Sequence, residues 1–131
     1  MTARRRVSSG SPYEGTIGFS RAVRVGTRVL VSGTAPIWPD GSCDPDPHAQ
    51  ARRCLDIIGT ALAEAGAAVT DVVRTRMYVI DARDAAAISD AHRAVFAEVR
   101  PASTIVVVSA LVDPRWKVEI EAEAEIEAET R

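Results

Sequence analysis

Alternating glutamates near the end of the chain are the side chains best suited to carry chemistry. Residues 116–127 read WKVEIEAEAEIE, with a glutamate at every second position from Glu119 onward. Because side chains alternate across a β-strand, these carboxylates share one face. Most members of such a row are expected to be solvated or paired with arginines. Glu119 is the candidate catalytic group, because it opens the row beside the turn at Pro114, where a strand can border a cleft and a carboxylate can shuttle a proton.

Arg76 is the candidate cation for binding a substrate. It lies in the apolar run VVRTRMYVI, residues 72–80, on the same predicted face as Arg74 and Tyr78. Two interpretations stay open: a salt bridge to the glutamate row, which the number of carboxylates favours, and a contact with an anionic substrate.

The histidines and cysteines of the sequence do not indicate a further site. His92 is interpreted as a packing or surface residue of a helix, and His48 as part of a helical N-terminal turn. Cys43 and Cys54 form no CxxC or Cys/His pattern, so the sequence predicts neither a metal site nor an activated thiol.

The elements that position these residues follow the order ββαβαββ. Period-two alternation predicts the strands, and apolar residues at three- and four-residue steps predict the helices. The pattern indicates an α/β fold in which two helices cover one face of a mixed sheet. The last two strands, split by Asp113-Pro114, are predicted to form an antiparallel hairpin. The predicted strands are 17–25, 28–32, 72–80, 103–110 and 116–126, and the predicted helices are 48–65 and 84–99.

Chain organisation is predicted to be simple. Residues 1–12 have the composition of a flexible tail, and residues 13–131 are expected to form a single domain. Gly33 ends the second predicted strand and is followed by Thr34-Ala35-Pro36. A glycine at that place suggests a bulge, or a point where backbone amides approach a ligand.

Composition and charge exclude several classes of function. The chain has 131 residues and a net charge of −2, which gives no electrostatic case for binding nucleic acid. No apolar run is long enough to span a membrane, so we expect a cytoplasmic protein. The sheet face that carries arginine, tyrosine and glutamate has no element left to cover it, which suggests packing against copies of the same chain.

Several strings of the sequence together resemble one family. They are GFSRAVRVG, LVSGTAPI, LAEAGA, DVVRTRMYV and RPASTIVVVSALVDP followed by KVEIEA, in the order and spacing of the Rid family, also called YjgF or UK114 and formerly labelled endoribonuclease L-PSP. The resemblance runs from Gly18 to Ile126.

The resemblance implies a chorismate-mutase-like fold and a homotrimer with three clefts between subunits. Active members hydrolyse enamines and imines such as 2-aminoacrylate to the 2-oxo acid and ammonia, without a metal or an organic cofactor. Their site positions fall on Phe19, Gly33 and Glu119. The arginine that grips the substrate carboxylate after Pro-Ala is replaced here by Ser103, and a frequent cysteine by Ile105. A hydroxyl cannot reproduce the bidentate grip of a guanidinium.

Three functions therefore stay open. The first is hydrolysis of an imine, an enamine or a related carbonyl metabolite in the cleft. The second is a trimer that binds a small molecule and has lost hydrolysis, for which the missing arginine argues. The third is the ribonuclease activity of the older family name, which the negative net charge and the small number of aromatic residues disfavour.

Overall fold

A computed structural model describes residues 4–127 of the chain. Within these residues two α-helices and six strands account for the fold, and the α/β class predicted from the sequence is confirmed. Strand β1 is an addition to the predicted order. The elements are β1 (Arg4–Val7), β2 (Ala22–Val25), β3 (Arg28–Thr34), α1 (Pro47–Glu64), β4 (Val72–Val79), α2 (Ala85–Phe96), β5 (Ala102–Val107) and β6 (Val118–Glu125).

All six strands belong to one sheet with the order β1-β2-β3-β6-β4-β5. Strand β6 runs antiparallel to both β3 and β4, whereas β5 pairs in parallel with β4. The predicted hairpin of the last two strands is therefore wrong, because β4 lies between them. The loop at Asp113-Pro114 crosses over β4 instead of making a tight turn.

The core lies between the helices and one face of the sheet. On β6, Val118, Ile120 and Ala124 are fully buried, while the glutamates between them point to the open face. On β4 the same alternation holds from Thr75 onward. A register shift between Val72 and Arg74 places Val72 in the core and leaves Val73 exposed, as expected of a β-bulge.

The flexible tail predicted for residues 1–12 is wrong for Arg4–Val7, which pair with β2, while residues 1–3 lie outside the described residues. Arginines of this edge also close the C-terminal end of α1. Arg5 donates to the carbonyl of Glu64, and Arg24 donates to the carbonyl of Ala65 at 2.8 Å. Cationic side chains satisfy the carbonyls that a helix leaves open at this end.

Helix α1, Pro47–Glu64, lies within one residue of the predicted range 48–65 at both ends. The Asp46 carboxylate accepts a hydrogen bond from the Ala49 N–H at 2.9 Å, and Gly66 follows the last turn with φ +85°. Gln50, which is fully buried, ties this helix to the start of β6: its side-chain oxygen accepts from the Lys117 N–H at 2.7 Å. Its amide nitrogen donates to the Arg115 carbonyl at 3.0 Å. This anchor fixes the segment that leads to Glu119.

Strand β5 forms the free edge of the sheet beyond β4, and all six of its residues are exposed. Ile105, Val106 and Val107 keep 37%, 41% and 56% of their surface accessible. An apolar strand edge of this kind is a template for association with another chain.

Candidate functional site

A cavity of about 900 Å³ lies where β3 ends and β6 begins. Its walls come from the segment after β1, the proline-rich loop before α1, two side chains of α1 and the loop that leads into β6. Predicted site residues Phe19, Gly33 and Glu119 line it together. Other residues that line it include Tyr13, Ile17, Arg21, Ile37, Trp38, Arg53, Val112, Asp113, Arg115 and Trp116.

A bulge in β3 brings Gly33 against Glu119. Between the pairs Val31–Ala122 and Thr34–Ile120, β3 has one more residue than β6, so the predicted bulge is present. A Cβ placed on Gly33 would overlap Glu119 Oε2 and lie 3.3 Å from its Cδ. Only glycine therefore leaves the space that the carboxyl group occupies.

Glu119 differs electrostatically from the next glutamates of its row. Within residues 4–127 it has no ion pair and no hydrogen-bond partner, whereas Glu121 and Glu123 both pair with Arg76. Burial raises the pKa of Glu119, the charge of Arg21 acts against this rise, and Glu121 adds to it. A carboxyl group with a raised pKa and an open hydrogen-bonding shell is suited to accept a proton and return it.

Arg21 is the buried cation of the cavity, and the sequence reasoning missed it. Only 5% of its surface is accessible. Its guanidinium donates to the Gly33 carbonyl at 3.1 Å and to Thr34 Oγ1 at 3.4 Å, and its Cζ lies 5.2 Å from the centre of the Phe19 ring. Burial lowers the pKa of Arg21, and the charges of Glu14 and Glu119 oppose this. Arg21 therefore holds the bulge, supports Phe19 and offsets the charge of Glu119.

Aromatic side chains form much of the cavity wall. Tyr13 meets Trp116 edge to face, with ring centres 6.0 Å apart and planes at 71°. Trp116 is 6% exposed, and Trp38 stands in the proline-rich loop on another part of the wall. The sequence could have indicated Trp38 as a site residue. It is a large aromatic residue in a loop of proline, glycine and aspartate, so packing of a strand or a helix does not explain its presence.

Three predicted site residues lie away from this cavity in the single chain. Ser103 and Ile105 belong to the exposed edge strand β5, where the Ser103 hydroxyl accepts a hydrogen bond from Thr75 Oγ1 at 2.8 Å. Arg76 does not line the cavity but lies 3.5 Å from Glu121 and 3.1 Å from Glu123. The structure thus supports the salt-bridge interpretation of Arg76.

The histidines and cysteines stay outside the site. His92 packs against Phe96 with ring centres 4.6 Å apart and planes tilted by 42°, and it shares a 2.8 Å hydrogen bond with Thr75 Oγ1, which confirms its packing role. Burial raises the pKa of both thiols, Cys43 and Cys54, and so disfavours the thiolate.

Neither a metal cluster nor a membrane span emerges from the part of the chain that the structure describes. Among residues 4–127, no three histidine, cysteine or acidic side chains are grouped so that they could hold a metal ion. Both helices in this range are too short or too polar to cross a bilayer.

Comparison with known families gives one match that spans most of the chain. Residues 12–126 match the model of the family described as endoribonuclease L-PSP. A Streptomyces coelicolor protein described as uncharacterised is 41% identical over 121 residues, which cover 92% of this chain and 90% of that protein. The 2-iminobutanoate/2-iminopropanoate deaminase of Escherichia coli K12 is 34% identical over 108 residues, covering 79% and 84% respectively.

A crystal structure supports the same relationship. A Mycobacterium tuberculosis member of the YjgF/YER057c/UK114 family superposes with a TM-score of 0.88 at 43% identity, covering 95% of this chain and all of that one. The mixed sheet with two helices on one face is therefore shared with this structure.

Proposed function

The chain belongs to the YjgF/UK114 family, the endoribonuclease L-PSP family of the matching model, and on this premise we propose that it binds a small imine, enamine or carbonyl metabolite and hydrolyses the imine. The observation that carries the proposal is the Glu119 carboxyl, which has no ion-pair or hydrogen-bond partner among residues 4–127, lies against Gly33 and has a pKa that burial raises. A relative named as an imine deaminase supports the reaction class.

The proposed chemistry needs only water and a proton carrier. Glu119 takes a proton from water as the water oxygen adds to the imine carbon, and it gives this proton to nitrogen, which forms a carbinolamine. It then takes the hydroxyl proton of the carbinolamine and passes it to nitrogen as the carbon–nitrogen bond breaks, so both protons of the water end on ammonia. The products are a carbonyl compound and ammonia, so the carboxylate is regenerated. The positive charge of Arg21 favours the ionised form of Glu119, which is the form that accepts a proton.

We also propose that a homotrimer completes the site. The exposed edge strand β5 would bring Ser103 and Ile105 of one subunit to the cavity of Phe19, Gly33 and Glu119 in the next. The accessible apolar side chains of β5 support such an interface. Size-exclusion chromatography with light scattering tests this: Val107→Lys should dissociate the trimer, and a wild-type monomer would contradict it.

The test of hydrolysis is ammonia release from imines generated in the assay, including 2-aminoacrylate. Wild type should accelerate release, and Glu119→Gln should lose about 100-fold or more, the usual contribution of a general acid–base group. Glu125→Gln is the matched control, because its carboxylate belongs to the same row but is exposed and bonded to Thr27. Equal rates for wild type and Glu119→Gln would refute the role of Glu119.

A second candidate is a trimer that binds the metabolite without hydrolysing it. The observation that favours it is Ser103, a hydroxyl where active relatives are expected to carry the arginine that grips a substrate carboxylate. The Ser103→Arg variant separates the two: if wild type is inactive on anionic imines and the variant gains activity, the chain binds but does not deaminate such compounds.

A further inference from the structure

We infer that His92 is a positioning residue of the site: acting through Thr75, it holds the Ser103 hydroxyl so that the serine donates its hydrogen to an acceptor atom of the ligand. The inference rests on the proposed function, because the proposed trimer brings Ser103 to the cavity of the next subunit. It gives a role in binding to two side chains, Thr75 and His92, that do not line the cavity of their own chain.

Three hydrogen-bonded side chains connect helix α2 to the edge strand β5. Thr75 and Ser103 are direct partners in the parallel pair of β4 and β5, so their side chains share the face of the sheet on which Thr75 is fully buried. Thr75 Oγ1 lies 2.8 Å from Ser103 Oγ and 2.8 Å from His92 Nε2. The Thr75 hydroxyl therefore links an imidazole of α2 to an exposed hydroxyl of β5.

The number of hydrogens gives this chain of bonds a direction. A hydroxyl has one hydrogen to donate, and its oxygen can accept others. Thr75 donates its hydrogen to Ser103, so the contact with His92 is a hydrogen bond only if Nε2 carries a hydrogen and donates it to Thr75. Ser103 then accepts from Thr75 and keeps its own hydrogen for an acceptor outside the sheet.

The surroundings hold the three side chains in place. Thr75 has no accessible surface, so water does not compete for its hydroxyl. The ring of His92 lies 4.6 Å from the ring of Phe96, which is only 2% exposed, and this contact restrains the imidazole. Hydrogen bonds in series polarise one another in a dry environment, which strengthens the donor at the Ser103 end.

The three side chains supply a hydrogen bond and not a charge. Burial lowers the pKa of His92, so its imidazole is neutral at neutral pH and above. Ser103 therefore offers one directed donor at the position where active relatives are expected to carry a guanidinium. Its direction is set from α2, by a residue that the ligand does not touch.

The tautomer of His92 tests the direction of the hydrogen bonds. The chain has only two histidines, His48 and His92, and the His92→Gln variant identifies the signals of each. Long-range ¹H–¹⁵N correlation spectra at about pH 8, where the imidazole is neutral, should show His92 with its hydrogen on Nε2. A hydrogen on Nδ1 would overturn the inference, because Nε2 would then accept from Thr75 and Ser103 would donate inward.

Isothermal titration calorimetry with pyruvate, the 2-oxo acid that 2-aminoacrylate yields, tests the role in binding. His92→Phe cannot donate to Thr75 and should weaken pyruvate binding about fivefold, the scale of one hydrogen bond. His92→Gln should restore the wild-type affinity, because its amide nitrogen reaches the place of Nε2. His92→Asn, whose amide reaches only the place of Nδ1, should not. His48→Phe, at the histidine that takes no part in these bonds, is the matched control and should bind like wild type.

A double-mutant cycle separates this role from a merely structural one. Ser103→Ala should weaken pyruvate binding about fivefold, and the addition of His92→Phe should cause no further loss, because both changes remove the same hydrogen bond to the ligand. The pair His92→Gln and His92→Asn keeps the test valid if His92→Phe does not fold. Equal affinities of wild type and His92→Asn, losses that multiply in the double variant, or a wild type that does not bind pyruvate would overturn the inference.

The outcomes separate this inference from the proposed function. Pyruvate binding that depends on His92, without ammonia release from any imine, would support the inference and contradict hydrolysis. Ammonia release that depends on Glu119 and keeps the same kcat and KM in His92→Asn would support hydrolysis and overturn the inference.

Discussion

Replacement of Gly33 by alanine is expected to separate activity from stability. The backbone of Gly33 has a negative φ, which alanine adopts without strain, but the added Cβ would overlap Glu119 Oε2. Since that oxygen is the end of a flexible side chain, the carboxyl group can rotate away at a cost of about 1 kcal/mol, the scale of an unfavourable rotamer. A displacement of about 1 Å at a catalytic group costs about 100-fold in rate.

A double-mutant cycle makes this reasoning testable. Gly33→Ala and Glu119→Gln should each lower kcat/KM for the imine about 100-fold, and the double variant should be no worse than either, because both act through one carboxyl group. Chemical denaturation at one fixed protein concentration should show Gly33→Ala to be destabilised by only about 1 kcal/mol.

Gly59→Ala is the control for this cycle. Gly59 lies inside α1, and a Cβ placed there meets nothing within 4 Å. The substitution should leave activity unchanged and stabilise the protein by about 0.5–1 kcal/mol. The reasoning is refuted if Gly33→Ala keeps activity within threefold of wild type, or if the losses of the two single variants multiply in the double variant.

Three further predictions concern stability. Because burial raises the pKa of Glu119, the folded state binds the proton of this carboxyl group more tightly than the unfolded state does. Wild type therefore loses stability relative to Glu119→Gln as pH rises above the ordinary pKa of glutamate. Denaturation across pH should show Glu119→Gln to be more stable than wild type at neutral pH and equally stable in acid. Gln50→Leu leaves the Lys117 N–H unpaired and removes the amide donor from the Asp44 and Arg115 carbonyls, which keep only the weak Cys43 thiol at 3.8 Å; it should cost about 2–4 kcal/mol, whereas a loss under 1 kcal/mol would contradict the buried anchor. Gly66→Ala forces alanine to φ +85° and places a Cβ 2.6 Å from Arg24 Nη1, so thermal unfolding should show a loss of about 1–2 kcal/mol, and an unchanged Tm would contradict it.

The sequence predicts which face of a strand is buried better than it predicts which strands pair with each other. Alternation in β6 identified the buried and open faces correctly, because burial acts on each residue locally. The same pattern carries no information about which strand lies alongside, and chain proximity suggested a hairpin between β5 and β6. In the structure β4 occupies that place and pairs with both strands.

The sequence predicted those cavity residues whose type stands out from the residues around them. Gly33 and Glu119, which both line the cavity, were predicted because a glycine at a strand end and a carboxylate at the start of a row each stand out. Arg21 was not, since nothing in FSRAVRV distinguishes a buried arginine from an exposed one. Its role depends on Thr34 and Phe19, whose positions around it come only from the fold.

The pH dependence of kcat/KM for wild type and Glu119→Gln on one imine shows whether Glu119 carries the proton in imine hydrolysis. Wild-type activity should fall on the acid side with an apparent pKa above the ordinary value for glutamate. In Glu119→Gln this limb should be absent and the rate should be about 100-fold lower or more at neutral pH. Superimposable profiles for the two proteins would contradict the claim.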